Sequence, residues 1–172
     1  MSESIVSVVV TGTAWMGGGI GSIESALERL FREAQQEIAL TAYAISSGAD
    51  LLFDWLETSL ARGVQVKLIV NHLTNQPQDV RVRLHQLTTT YAHFYLYDFI
   101  PESQADLHAK AIVVDRQLAL IGSSNLSRRG LLVNHEIAVL VQGSAAATAA
   151  SVLDRLLNNQ LVVRLPDNST AS

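Results

Sequence analysis

HAKAIVVDRQLALIGSSN, residues 108–125, is the stretch whose reading decides the fold. Two apolar runs, AKAIVV and QLALIG, flank Asp115-Arg116, the pattern of two short strands joined by a tight turn. A core hairpin has no need of a His, a Lys, a Ser and an Asn at its margins; a phosphate-handling site has. His108 and Lys110 are two apart, so in a strand they share one face while Ala109 and Ala111 take the other. Asn125 follows the second strand and returns to the same end of the sheet. A neutral imidazole attacks phosphorus, and Lys110 and Asn125 neutralise and hold the nonbridging oxygens. A carboxylate behind a His fixes its tautomer and raises its basicity. Glu136 is the candidate for that place. Asp115 sits at the turn and is read as structural, bonding backbone amides there.

Outward from the hairpin, strand and helix patterns alternate. Strands are expected over 4–12, 37–45, 64–70, 91–98, 107–114, 117–122 and 134–142. Ser22 is expected to cap a helix whose apolar stripe is Ile23, Ala26, Leu27, Leu30, Phe31 and Ala34. Further helices are expected over 47–63, closed by Gly63, from Pro77 to about 87, and over 144–160. The glycine-rich segment AWMGGGIGS (14–22) fits neither GxxxxGK[ST] nor GxGxxG, so it reads as a connection at the domain edge. Strands alternating with helices and then following in series imply an α/β domain with a mixed sheet and helices on both faces. No linker or repeat divides the chain. A single domain is expected over 1–165, with a polar tail over 166–172.

Composition narrows the partners. Of 172 residues, 48% are hydrophobic and 16% charged, which suits a packed domain. The net charge is −4, so a basic nucleic-acid footprint is absent from the chain as a whole. Residues 1–60 hold 8 acidic and 2 basic residues, whereas 61–172 hold 8 acidic and 10 basic, so the acidity lies away from the hairpin. There is no cysteine, which removes disulfides, thiolate zinc and a thiol nucleophile. No leader and no membrane-length apolar run are read, so a cytoplasmic protein without stable membrane insertion is expected. No cluster has metal-ligand spacing.

His108, Lys110, Asp115, Gly122, Ser123 and Asn125 form HxK-x4-D-x6-GSxN, which arises by chance in about one window in ten million or fewer. The motif resembles the HKD signature of the phospholipase D superfamily. SRRGLLVNHE after it resembles the family's trailing segment, with Asn134 and Glu136 in the matching places, and LARGVQVKLIV resembles the helix-to-strand passage upstream. The likeness covers about residues 20–160. It implies a phospholipase D-like fold and phosphodiester cleavage through a phospho-histidine, with neither metal nor organic cofactor. It implies catalytic roles for His108, Lys110, Asn125 and Glu136. Asp115, Gly122 and Asn134 become structural parts of the motif.

That chemistry needs a nucleophile and an acid for the leaving oxygen. Most members of the superfamily carry two motifs; here none of His72, His85, His93 and His135 has a Lys two positions on. The resemblance is therefore to the single-motif, bacterial endonuclease-like branch, and it implies a homodimer with two His108 side chains facing across the axis. His135 is expected to face away from the site, His93 to be a packed strand residue, and His85 to lie on a solvated helix face. Ser123, Arg128, Arg129 and His72 are candidate phosphate or substrate contacts.

A nuclease is the first functional expectation. A lipid phosphodiesterase is the second, with Trp15, Met16, Phe99 and Ile100 as an apolar interfacial surface. The third is a nucleic-acid-binding subunit of a bacterial defence complex, since single-motif proteins occur beside such genes.

Overall fold

The computed structural model describes residues 3–102 and 105–166. In chain order the strands are β1 (Ile5–Thr11), β2 (Gly21–Ser22), β3 (Glu37–Ala42), β4 (Gln65–Asn71), β5 (Phe94–Phe99), β6 (Ala111–Val114), β7 (Leu118–Gly122), β8 (Glu136–Gln142) and β9 (Val162–Arg164). The helices are α1 (Ile23–Glu33), α2 (Asp50–Ala61), α3 (Gln78–Thr90), α4 (Arg128–Leu132) and α5 (Ser144–Leu157). The described strands form one mixed sheet in the order β2-β1-β8-β7-β6-β3-β4-β5-β9. β3, β4 and β5 run parallel, while the β6–β7 hairpin is antiparallel to its neighbours β3 and β8.

Central β3 and β4 read as near-continuous apolar runs because both of their faces are covered. On one face α1, α2 and α3 bury the main core around Leu30, Leu40, Phe53, Leu68 and Phe94. On the other, α5 lays Ala146, Ala150 and Leu153 against Val113 and Ala119. The expected stripe of α1 is the buried one, and Ser22 Oγ caps it by accepting from Ser25 N–H at 3.0 Å.

The hairpin turn has φ of 49° at Asp115 and 58° at Arg116. Two left-handed residues match the twist of paired strands, and Asp tolerates that conformation better than most residues. The Asp115 carboxylate does not bond its own turn. It accepts the N–H groups of Gln35, Gln36 and Glu37 at 2.8 Å each, tying the hairpin to the entry of β3. Asp115→Ala is therefore expected to lower unfolding free energy by about 2–4 kcal/mol through lost charge-assisted bonds and left-handed strain. Asp115→Asn is expected to lose roughly half as much, and urea titration compares the two.

Other boundaries differ from expectation for local reasons. The strand expected over 107–114 begins at Ala111, so His108 and Lys110 lie in an extended lead with few ladder bonds. The strand expected from 134 begins at Glu136. α2 starts at Asp50, because Ala49 N–H closes a turn onto the Ser46 carbonyl. α3 runs on to Thr90. β2, β9 and α4 were not anticipated; each has five residues or fewer, too short for a periodic signal. Part of the glycine-rich connection is thus strand, pairing Gly21-Ser22 with Val9-Val10. Pro166 follows β9, and residues 167–172 of the expected tail lie outside the described residues.

Candidate active site

The lead into β6 is held by side chains from the C-terminal ends of two neighbouring strands. Asn71 Oδ1 accepts Leu107 N–H at 2.9 Å. Thr41 Oγ1 donates to the Ala109 carbonyl at 2.9 Å and accepts Ala111 N–H at 3.1 Å. Both side chains are buried, so these bonds fix the lead against β3 and β4. His108 and Lys110 consequently project together, as the spacing predicts.

Lys110 Nζ donates to His108 Nδ1 at 2.7 Å and to the His108 carbonyl at 2.7 Å, and lies 3.2 Å from Nε2. An ammonium has only donors, so the ring nitrogen that takes its bond does so through a lone pair. Burial over the apolar core holds the Lys110 ammonium below its ordinary pKa, and the Glu136 carboxylate offsets part of that shift. Tyr43, which sequence reasoning missed, packs its ring 4.4 Å from the His108 ring at a 53° tilt. Lys110 Nζ sits 5.1 Å from the centre of the same ring.

Glu136 occupies a different place from the one expected. Within one chain it accepts from Ser123 Oγ and from Asn134 Nδ2, at 3.4 Å for the latter. It is Lys110, not Glu136, that bonds the His108 ring. Ser123 N–H donates to the Ile137 carbonyl at 3.1 Å and Ser123 Oγ accepts Ile137 N–H at 3.3 Å, joining the ends of β7 and β8. Gly122 is required at that junction, since a Cβ there would overlap Ala138 and come within 2.7 Å of the Ile137 carbonyl. Asn125 Oδ1 is the buried side-chain polar atom without a partner among the described residues.

An open groove of about 640 Å³ is walled by Tyr43, whose ring packs on His108, and by Ser46, His72, Asn75, Asp106 and Asn125, among others. His72 lies in it with Nε2 3.2 Å from Asp106 Oδ1. Arg128 and Arg129 are exposed on α4, with Ser127 Oγ capping the helix by accepting Gly130 N–H at 3.0 Å. Arg128 borders a separate cleft with Glu24 and Asp50. The structure thus joins His108 with Lys110, joins Ser123 and Asn134 with Glu136, and sets Asn125 and His72 on one groove. The two arginines are not drawn into it.

The model of the cardiolipin synthase, phospholipase D-like domain family matches residues 27–159. This chain belongs to the phospholipase D superfamily. It is 30% identical to the DISARM protein DrmC of Bacillus paralicheniformis over 161 residues, 91% of this chain and 65% of that protein. It is 31% identical to cardiolipin synthase A of Proteus mirabilis over 132 residues, 76% of this chain but 26% of the synthase. The chain therefore spans less than two thirds of these relatives. The phospholipase D family member Nuc of Salmonella typhimurium has the same fold, with a TM-score of 0.74 at 20% identity over 95% of this chain and 99% of that one. Phosphatidylserine synthase of Haemophilus influenzae matches with a TM-score of 0.75 at 16% identity, over 96% of this chain and 41% of the synthase. The superfamily's signature is the HxK hairpin whose geometry is given above, and the chemistry common to it is phosphodiester transfer.

The remaining histidines have structural settings. His93 Nε2 lies 2.9 Å from the Leu60 carbonyl, and His85 is exposed on α3. His135 Nε2 accepts Ala14 N–H at 3.1 Å and its ring meets Trp15 edge-on, so it pins the start of the glycine-rich segment. Trp15, Met16 and Ile100 are exposed as expected for an apolar surface, but Phe99 is not. It is buried with Ile69 and Leu107 beneath the end of α5. Among the described residues no helix is long and apolar enough to cross a membrane.

Proposed function

We propose that the chain is a phosphodiesterase that cuts nucleic acid without a metal, through a phospho-His108 intermediate, in a site completed by a second copy of the chain. The observation that carries this reading is the His108–Lys110 contact. The form that protonates a leaving oxygen is the imidazolium, with a proton on each ring nitrogen. The attacking form has its lone pair on Nε2 and its proton on Nδ1, and that proton needs an acceptor. Of the carboxylates in the motif and its trailing segment, Asp115 is taken up by the amides of 35–37 and Glu136 is held in its own chain by Ser123 and Asn134. A second copy would supply both the missing carboxylate and a second imidazole.

In the proposed cycle the lone pair of one His108 forms a P–N bond while the P–O bond to the leaving group breaks. The other His108 gives its proton to the departing oxygen. That imidazole then takes a proton from water, the water oxygen bonds phosphorus, and the P–N bond breaks. Lys110 and the Asn125 amide hold the nonbridging oxygens, with Ser123 beside them. The roles proposed for His72, Arg128 and Arg129 are contacts to substrate beyond the reacting phosphate.

The sheet surface supports a homodimer. Ala111, Ile121, Val139 and Val8 form one row across β6, β7, β8 and β1 at the site's end, beyond the reach of α5. Ile121, Ile137 and Val8 are 40%, 49% and 51% exposed, an apolar patch of the kind that pairs. Activity is expected to sediment at twice the chain mass.

Two other readings have their own support. Similarity to cardiolipin synthases, with exposed Trp15 and Met16, favours a lipid phosphodiesterase. Similarity to DrmC across 91% of the chain favours a subunit of a defence assembly that acts with partner proteins. Labelled single- and double-stranded DNA and RNA, incubated with the protein in EDTA, test the first reading. Cleavage is expected. Its absence, with phosphate transfer on anionic liposomes, would replace nucleic acid by lipid; zinc-restored cleavage would overturn the phospho-histidine scheme.

Glu136 makes a prediction of opposite sign to a simple loss. Activity needs charged Lys110, so it falls as pH rises through a Lys110 pKa already below the ordinary value. Glu136 raises that value. Glu136→Gln is therefore expected to move the alkaline limb of the kcat/KM profile to lower pH.

A further inference from the structure

The open groove has a chemical character of its own. It shares two walls with the reacting centre: Tyr43, whose ring packs on His108, and Asn125 of the motif. Asp106, two residues before His108, forms part of its far side. Whatever leaves from a phosphate held by Lys110 and Asn125 toward this side must enter it. Its volume of about 640 Å³ falls within the range of small-ligand sites.

The charge inside is unfavourable to a phosphate. No Lys or Arg is among the lining residues, and the formal anion there is Asp106, whose side chain is 40% exposed. The ring of His72 has Nε2 3.2 Å from Asp106 Oδ1, so it is paired with that carboxylate rather than turned to a ligand phosphate. Asn71 Nδ2 reaches the same oxygen at 3.3 Å. A second phosphate in this space would therefore face a carboxylate and no free cation.

The hydrogen-bonding inventory points the same way. Asp106 is an acceptor, and Ser46 and Asn75 offer both kinds of group. Acceptors on the wall call for donors on the ligand, and a phosphate diester brings none. Hydroxyl groups bring a donor and an acceptor each. The Tyr43 ring supplies an apolar face for the carbon skeleton that carries them. His72 takes a left-handed backbone conformation, φ 45°, where the chain leaves β4 beside the groove. The buried Gln76 braces the floor, donating to the carbonyls of Tyr43 at 3.2 Å and Asn71 at 2.9 Å and accepting Ile45 N–H at 2.9 Å.

We infer that this groove is the leaving-group subsite and that it takes an uncharged, hydroxyl-bearing group, the ribose of a nucleoside or the glycerol of a headgroup, in preference to a second phosphate. The inference rests on the phosphodiester reading of His108 and Lys110. It assigns His72 and Asp106 to recognition of hydroxyls.

Binding to the His108→Ala protein, followed by calorimetry, reads the groove without turnover. The probes are uridylyl-uridine, the same dinucleotide with phosphates at both ends, and glycerophosphoglycerol. One of the two singly charged diesters is expected to bind, and which one does separates a nucleoside source from a glyceryl source. The doubly end-phosphorylated probe is expected to bind about fivefold more weakly or worse than uridylyl-uridine. Asp106→Asn is expected to remove that difference. Asn75→Lys, at an exposed position, is expected to reverse it, which guards against a simple folding defect in the Asp106 variant. Equal or tighter binding of the end-phosphorylated probe, binding of none of the three, or discrimination untouched by both substitutions would overturn the assignment. Failure of the phosphodiester reading looks different: the wild-type chain would leave bis(p-nitrophenyl) phosphate intact while the binding discrimination persists.

Discussion

His108→Ala is expected to lower phosphodiester turnover by at least about 10⁴-fold, because it removes the nucleophile from one half of the cycle and the acid from the other. The side chain is exposed, and its contacts are the Tyr43 ring and the Lys110 ammonium. Truncation there opens no sealed cavity, so the unfolding midpoint is expected to stay close to wild type. Substrate affinity is expected to survive as well, since in the proposed cycle Lys110 and Asn125 hold the phosphate. The decisive observation is a trapped label. With substrate carrying radioactive phosphorus, acid-labile, base-stable radioactivity should remain on the wild-type chain after rapid denaturation and be missing from the variant. A variant with a tenth of wild-type turnover would remove His108 from the chemistry altogether.

Lys110→Met is the second large effect. The methylene stem of Lys110 lies over the core beside Ile23, Leu27 and Leu131, and a Met stem fills that space, so the fold is expected to persist. The charge is what disappears. Losing a preorganised donor to a phosphoryl oxygen costs on the order of a hundredfold in kcat. The same substitution frees Nδ1 of His108 from the ammonium that it accepts from. Two consequences should therefore appear together: a fall of about a hundredfold or more in kcat, and disappearance of the alkaline limb that Lys110 deprotonation produces. Lys110→Arg is expected to restore only part of the rate, because a planar guanidinium cannot reproduce a tetrahedral ammonium placed against both a ring nitrogen and a carbonyl. A Met variant within threefold of wild type would assign charge stabilisation elsewhere.

The two substitutions act on one contact, so their effects should not add. Once the imidazole is gone, removing Lys110 is expected to cost little further.

Much of this architecture follows from local chemistry that a linear reading can reach. The α1 stripe, the parallel β3–β4 runs and the Asp115-Arg116 hairpin depend on neighbours three, four or two residues away, and the periodicities expose them. The pairing of His108 with Lys110 likewise follows from a separation of two. The family itself was legible, because six residues at fixed spacing leave little room for accident.

Other features depended on which strand ends meet. Thr41 and Asn71 look like ordinary strand-end polar residues, at the ends of EIALT and KLIVN. Only the order of β6, β3 and β4 in the sheet brings them onto the 107–111 lead. Tyr43 becomes the floor under His108 by the same crossing. Asp115 reaches across 78 to 80 residues to the entry of β3, a distance that no turn rule encodes. Glu136 sits two residues from Asn134 in sequence, yet its partner Ser123 arrives through the β7–β8 pairing. The sequence by itself determined the long elements, the hairpin and the placing of His108 with Lys110, since these are set by short-range spacing and backbone preference. The tertiary structure alone decided the groove, the tethers of the lead and the partner of Glu136, because each is a contact between segments whose separation along the chain carries no periodic signal.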